Sequence, residues 1–102
     1  MIEVDPGQLR QAIETQHGGR AYLREVVAVS EEFRGKPVWQ GIVHVFDLEG
    51  HPSAATAYAW SSPIEGSTRR RFYAVLGVPP INSPLEAVRA AIVADRKAGR
   101  PA

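Results

Sequence analysis

A chain of 102 residues, 44% hydrophobic and 23% charged, has room for one buried core and carries too much apolar area to stay disordered. It contains no cysteine, which excludes disulfides, thiolate metal sites and cysteine nucleophiles and agrees with a reducing compartment. The net charge of +1 supplies no global pull toward nucleic acid or anionic lipid, although residues 1–50 hold 5 Lys/Arg against 8 Asp/Glu and residues 51–102 hold 7 against 3.

The opening residues Met1-Ile2-Glu3-Val4-Asp5-Pro6 have neither the basic stretch nor the apolar core of a secretory leader. No apolar run approaches the roughly 18 residues that a membrane helix needs. The expectation is a soluble, cytoplasmic domain. Asp5-Pro6-Gly7-Gln8 then reads as a helix start: a capping carboxylate, Pro at the first helical position, and Gln three residues after the cap. Leu9, Ala12 and Ile13 form one apolar stripe, and Gly18-Gly19 is the stop, predicting a helix over 6–17.

Strands follow. Residues 22–30 are rich in β-branched side chains, and Arg34-Gly35-Lys36-Pro37 reads as a hairpin turn. Residues 38–48 form the strongest strand. Val38, Ile42, Phe46 and Leu48 share one face by parity, and Trp39, Val43 and Val45 share the other. A strand apolar on both faces is central or covered on both sides. After a turn at 49–52, the third strand, 54–60, sets Thr56, Tyr58 and Trp60 against Ala55, Ala57 and Ala59; the alanine face suits close approach by a helix. Residues 61–68 read as a loop. The fourth strand, 69–76, puts Phe72, Ala74 and Leu76 opposite Arg71, Tyr73 and Val75.

Val78-Pro79-Pro80-Ile81 is a stiff connector. Ser83-Pro84-Leu85-Glu86 is a capping box that opens the last helix, with Leu85, Val88, Ala91, Ile92 and Asp95 on one stripe and Gly99 as its end. Residues 98–102 read as a frayed tail. The predicted fold is α+β, in the order α-β-β-β-β-α: one domain over 1–102, a four-stranded antiparallel meander with both helices packed on one face.

That arrangement leaves the other sheet face open. Trp39, Tyr58, Trp60 and Tyr73 on it would form an apolar patch of the kind that marks an interface. The rim would be Arg69, Arg70 and Arg71. The reading is a non-enzymatic binding or interaction module whose partner is a protein or a second copy of the chain. The alternative for each Trp is burial under a helix. The alternative for the arginines is a solvated strand start, paired to Glu65 or another acid. A second function follows from the same residues: phosphates on the Arg cluster and bases on the rings, as in single-strand nucleic-acid binding.

Catalysis has the weakest support. His44 and Asp47 have opposite parity, and His51 falls in a turn, so no convergent metal or acid–base set is predicted. Ser61 and Ser62 lack a G-x-S-x-G frame. No glycine loop opens a helix to cradle phosphate. A small enzyme built on His44 or His51 is the least favoured reading. No cofactor, metal, catalytic residue or membrane partner is implied.

Residues 39–52 (Trp-Gln-Gly-Ile-Val-His-Val-Phe-Asp-Leu-Glu-Gly-His-Pro), Tyr58-Ala59-Trp60, Pro79-Pro80-Ile81-Asn82-Ser83-Pro84 and Ala87-Val88-Arg89-Ala90-Ala91-Ile92 resemble a small bacterial family of uncharacterised proteins, a domain of unknown function. The resemblance spans most of the chain and implies no activity or site residue. In topology the chain is also similar to the double-stranded-RNA-binding domain. That family places lysines at the start of its last helix, where this chain has Ser83-Pro84-Leu85-Glu86, and the meander here has four strands instead of three. The analogy concerns fold alone.

Overall fold

The computed structural model describes residues 5–64 and 66–99. The leader expectation at residues 1–4, Glu65 as an arginine partner, and the end of the expected tail at residues 100–102 lie outside the described residues. The elements run α1 (Pro6–His17), β1 (Arg20–Phe33), β2 (Lys36–Glu49), β3 (Thr56–Pro63), β4 (Arg70–Leu76) and α2 (Pro84–Lys97). The strands form one antiparallel sheet in the order β1-β2-β3-β4. The α+β class, element order and meander are those predicted. Among the described residues no helix is long and apolar enough to cross a membrane.

Both helix starts follow from their capping residues. Asp5 Oδ1 accepts from the Gly7 amide at 2.9 Å, and Ser83 Oγ accepts from the Glu86 amide at 3.2 Å. The Glu86 carboxylate reaches back to the Asn82 amide and the Ser83 hydroxyl, both at 3.1 Å. The capping box therefore closes one residue earlier than in its usual form. The β1–β2 hairpin turns on Arg34 and Gly35, whose φ values of 55° and 76° are the positive pair that a two-residue hairpin needs.

The strands run longer than predicted. β1 and β2 extend each other by cross-strand pairing out to Phe33 and Lys36. β3 continues through Ser61, Ser62 and Pro63, where a loop was expected, because β4 pairs with all three. Pro63 is tolerated because β3 pairs with β4 alone at this point and is an edge strand there.

The helix placement differs from the prediction. Leu9 and Ile13 of α1 pack with Phe46, Leu48, Ala57 and Ala59, and Phe72, Ala74 and Leu76 join them. Ala87 and Val88 of α2 pack with Val43, Val45, Tyr58 and Trp60, and Tyr73 and Val75 join them. These two sets alternate along β2, β3 and β4, so α1 and α2 lie on opposite faces of the sheet. Side-chain size explains the choice. The alanine face of β3 admits the branched side chains of α1. The aromatic face takes the small residues Ala87 and Ala91 of α2. The core is thus two layers, one on each side of the sheet.

Candidate binding groove between α2 and the sheet

β2 and β3 pair over only part of their length, from His44↔Ala59 to Asp47↔Thr56. Before His44, β2 pairs with β1 alone; beyond Ala59, β3 pairs with β4 alone. The two strands part there, and the gap is roofed by α2. The result is a groove of about 500 Å³, within the roughly 300–1,000 Å³ of ordinary ligand sites. Trp39 and Gln40 line it from β2, and Trp60, Ser62, Pro63 and Ile64 from β3 and the residue after it. Arg71 and Tyr73 come from β4, and Val88, Ala91, Ile92 and Asp95 from α2.

Three rings organise the groove. Trp60 is 2% exposed and lies flat against Tyr73, its cross-strand partner, with centroids 5.2 Å apart and planes at 11°. Trp39 meets Trp60 edge-on at 6.0 Å and 71°. These are the geometries that aromatic quadrupoles favour. Trp39 reaches Trp60 by folding over its own strand. A Cβ on Gly41 would lie 2.8 Å from Trp39 Cη2, so the missing side chain makes room for the indole.

The polar end is built on Asp95, a carboxylate only 4% exposed. The Tyr73 hydroxyl donates to its Oδ2 at 2.6 Å, a charge-assisted bond. Burial raises the Tyr73 phenol above its ordinary value, and the bond to Asp95 adds to the rise, while Arg71 opposes both. A guanidinium, a buried carboxylate and a phenol thus stand at one end of an aromatic trough.

The structure brings together Trp39, Trp60, Arg71 and Tyr73 of the predicted set. Tyr58 shares their face but is buried beside Val88, and desolvation raises its phenol too. The expected open aromatic face is therefore covered by α2, leaving a groove where a flat patch was predicted. The arginines separate. Arg71 lines the groove. Arg70 has the parity of the α1 face, where its Nε donates to Ser61 Oγ at 2.7 Å and its Nη2 to the Ser61 carbonyl at 3.2 Å. Arg69 is exposed ahead of β4.

The histidines sit apart from the groove. His44 has the parity of Phe46, on the α1 face. Its Nδ1 is buried without a hydrogen-bond partner among the described residues, and burial lowers its pKa. His51 orders the β2–β3 turn by accepting from the Ser53 and Ala54 amides at 3.1 and 3.0 Å. Among the described residues no three His, Asp or Glu side chains gather as a metal would require.

No family model matches the chain, and no curated protein or solved structure matches it either. Neither resemblance drawn from the sequence gains support from these comparisons, and the groove itself carries the functional argument.

Sequence reasoning placed Asp95 on the apolar stripe of the last helix without assigning it a role. An acid at a core-facing helical position was the available signal. Gln40, Ser62 and Ile64 carried none, because they reach the groove only through the parting of β2 and β3.

Proposed function

We propose that the chain is a non-enzymatic binding module that takes an extended peptide segment in the groove between α2 and the parted strands. The observation that carries this reading is the coincidence of an aromatic trough with two facing strand edges that do not pair with each other. An extended peptide uses both features: its backbone meets strand edges, and its side chains fill pockets. Trp39, the half-buried ring at the mouth, supplies the contact face, and Trp60 and Tyr73 form the floor. Arg71 and Asp95 would orient polar groups of the segment at one end. The absence of cysteine fits a reducing compartment, and we place the module in the cytoplasm.

Selection from a displayed library of random linear peptides tests this. The expected result is one recurrent motif with an aromatic or branched apolar anchor, whose binding falls at least tenfold in Trp39→Ala and in Arg71→Ala. Absence of a motif, or binding indifferent to both substitutions, would overturn the assignment. A short single-stranded oligonucleotide serves as the comparison ligand. Tight binding to it with a steep salt dependence would replace the peptide reading with the nucleic-acid one.

A further inference from the structure

Outside the groove, β1 presents a long outer edge that no described strand pairs with. This strand has 14 residues and ends the sheet. Long edges are ordinarily blunted by charged side chains, Pro, bulges or a covering element, and β1 confines its charges and its two register shifts to the parts flanking its middle. β1 contains neither Pro nor Lys, and Val26-Val27-Ala28-Val29-Ser30 at its middle carries no charge. On the adjoining α1 face, α1 does not reach the outer part of the β1–β2 hairpin, and Val26 and Ile42 are 53% and 50% exposed.

The run is laid out symmetrically. The register of β1 shifts between Leu23 and Glu25 and again between Glu31 and Glu32. The straight stretch between the shifts is Glu25–Glu31, with Ala28 at its centre. Antiparallel pairing of this stretch with a second copy, about a two-fold axis at Ala28, sets Val27 against the partner's Val29. It also sets Val26 against the partner's Ser30. Just beyond the shifts, Arg24 falls near the partner's Glu32, and the symmetry makes this contact twice. Glu25 falls opposite the partner's Glu31. That like-charge pair is relieved because Arg89 already holds Glu31 through Nε and Nη2, which places a cation beside both carboxylates.

We infer that the outer edge of β1 is a self-association surface by which two copies of this chain join into one continuous sheet, pairing Glu25–Glu31 about Ala28. The contact is isologous, so it closes as a dimer and does not propagate. It also joins the exposed Val26 and Ala28 of one copy to those of the other. It uses no residue of the groove and stands or falls separately from the peptide reading.

Sedimentation velocity over a micromolar concentration series tests it through charge reversal. Glu32→Arg, at an exposed position, is expected to weaken dimerisation by about tenfold through like-charge contacts at each end. Arg24→Glu should weaken it as well; Arg24 also pairs with Asp47 within the chain at 3.1 Å, so circular dichroism accompanies this variant. The double variant Arg24→Glu/Glu32→Arg should restore the affinity, because each pair is then merely inverted. A monomer throughout the series, or a dimer that ignores Glu32→Arg or is not rescued by the double variant, overturns the inference.

Discussion

Trp60 is the largest of the fully buried side chains, and its two ring contacts make its truncation the sharpest test of the packing argument. Trp60→Ala removes a buried indole beneath α2, at a cost of about 3–5 kcal/mol for an aromatic side chain taken from a core. A domain of this size has about 5–15 kcal/mol in total, so the variant should remain folded with a thin margin and melt ~20 °C lower. Trp39 is half-buried and meets Trp60 edge-on, so Trp39→Ala should cost only about 1–2 kcal/mol. The double variant should be less destabilised than the sum of the two, with a coupling of about 0.5–1.5 kcal/mol from the edge-on ring pair. Urea denaturation followed by circular dichroism at a constant slope reads all three numbers. Each single variant keeps one of the chain's 2 tryptophans, so fluorescence reports the other ring independently. Similar costs for the two truncations, or a coupling near zero, would refute the view that a buried Trp60 supports the half-buried Trp39 through their edge-on contact.

Gly41→Ala places a methyl where the Trp39 ring now lies and should cost about 1–3 kcal/mol by overpacking; in a Trp39→Ala background the penalty should vanish, and an equal penalty in both backgrounds would count against the fold-over geometry. His44, whose pKa is depressed by burial below 6.5, binds its proton more readily in the unfolded chain, so stability should fall as pH drops below about 6.5. Glu14 and Glu31 are depressed below 4.5 by their hydrogen bonds to the Ala21 amide and to Arg89, so their losses come at lower pH. His44→Leu should flatten the upper part of the profile, and an unchanged slope would contradict the burial argument. Tyr73→Phe leaves the Asp95 carboxylate without its phenol donor and should cost about 1.5–3 kcal/mol. Because the Tyr58 and Tyr73 phenols are raised above 10 in the folded protein, wild-type stability should decline as pH climbs past 10. That decline should be shallower in Tyr73→Phe, and an equally steep one would assign the alkaline loss elsewhere.

Much of this architecture was readable from residue order. Asp5-Pro6 and Ser83-Pro84 marked both helix starts, and the alternation of Ala57 and Ala59 with Tyr58 and Trp60 sorted β3 into its two faces. Parity, however, says which residues share a face and not which helix covers it. Both faces of β2 read as apolar, through Phe46 and Leu48 on one side and Val43 and Val45 on the other. That pattern fits a helix on each side better than two helices on one. The end of β3 was hidden because Ser61-Ser62-Pro63 has loop composition, and only its ladder with β4 makes it strand. The groove was half legible. Trp39, Trp60, Arg71 and Tyr73 were singled out, yet their meeting depends on β2 and β3 parting at His44 and Ala59, a tertiary event with no local signature. The Arg69-Arg70-Arg71 run looked like one patch, but strand pleat sends Arg70 to the face opposite Arg71. The register shifts at either end of Glu25–Glu31 likewise arise from cross-strand pairing and leave no mark in composition.

The measurement that tests the binding groove most directly is a ¹H–¹⁵N correlation spectrum of the protein titrated with the strongest peptide from the library selection. Binding in the groove should confine the shifts to the Trp39 and Trp60 indole N–H groups, the amides of Gln40, Ser62 and Ile64 at the parted strands, and Arg71, Tyr73 and the groove-facing turn of α2 around Ile92. Shifts centred instead on Val26, Ile42 and His44, across the sheet, with the two indoles unmoved, would contradict it.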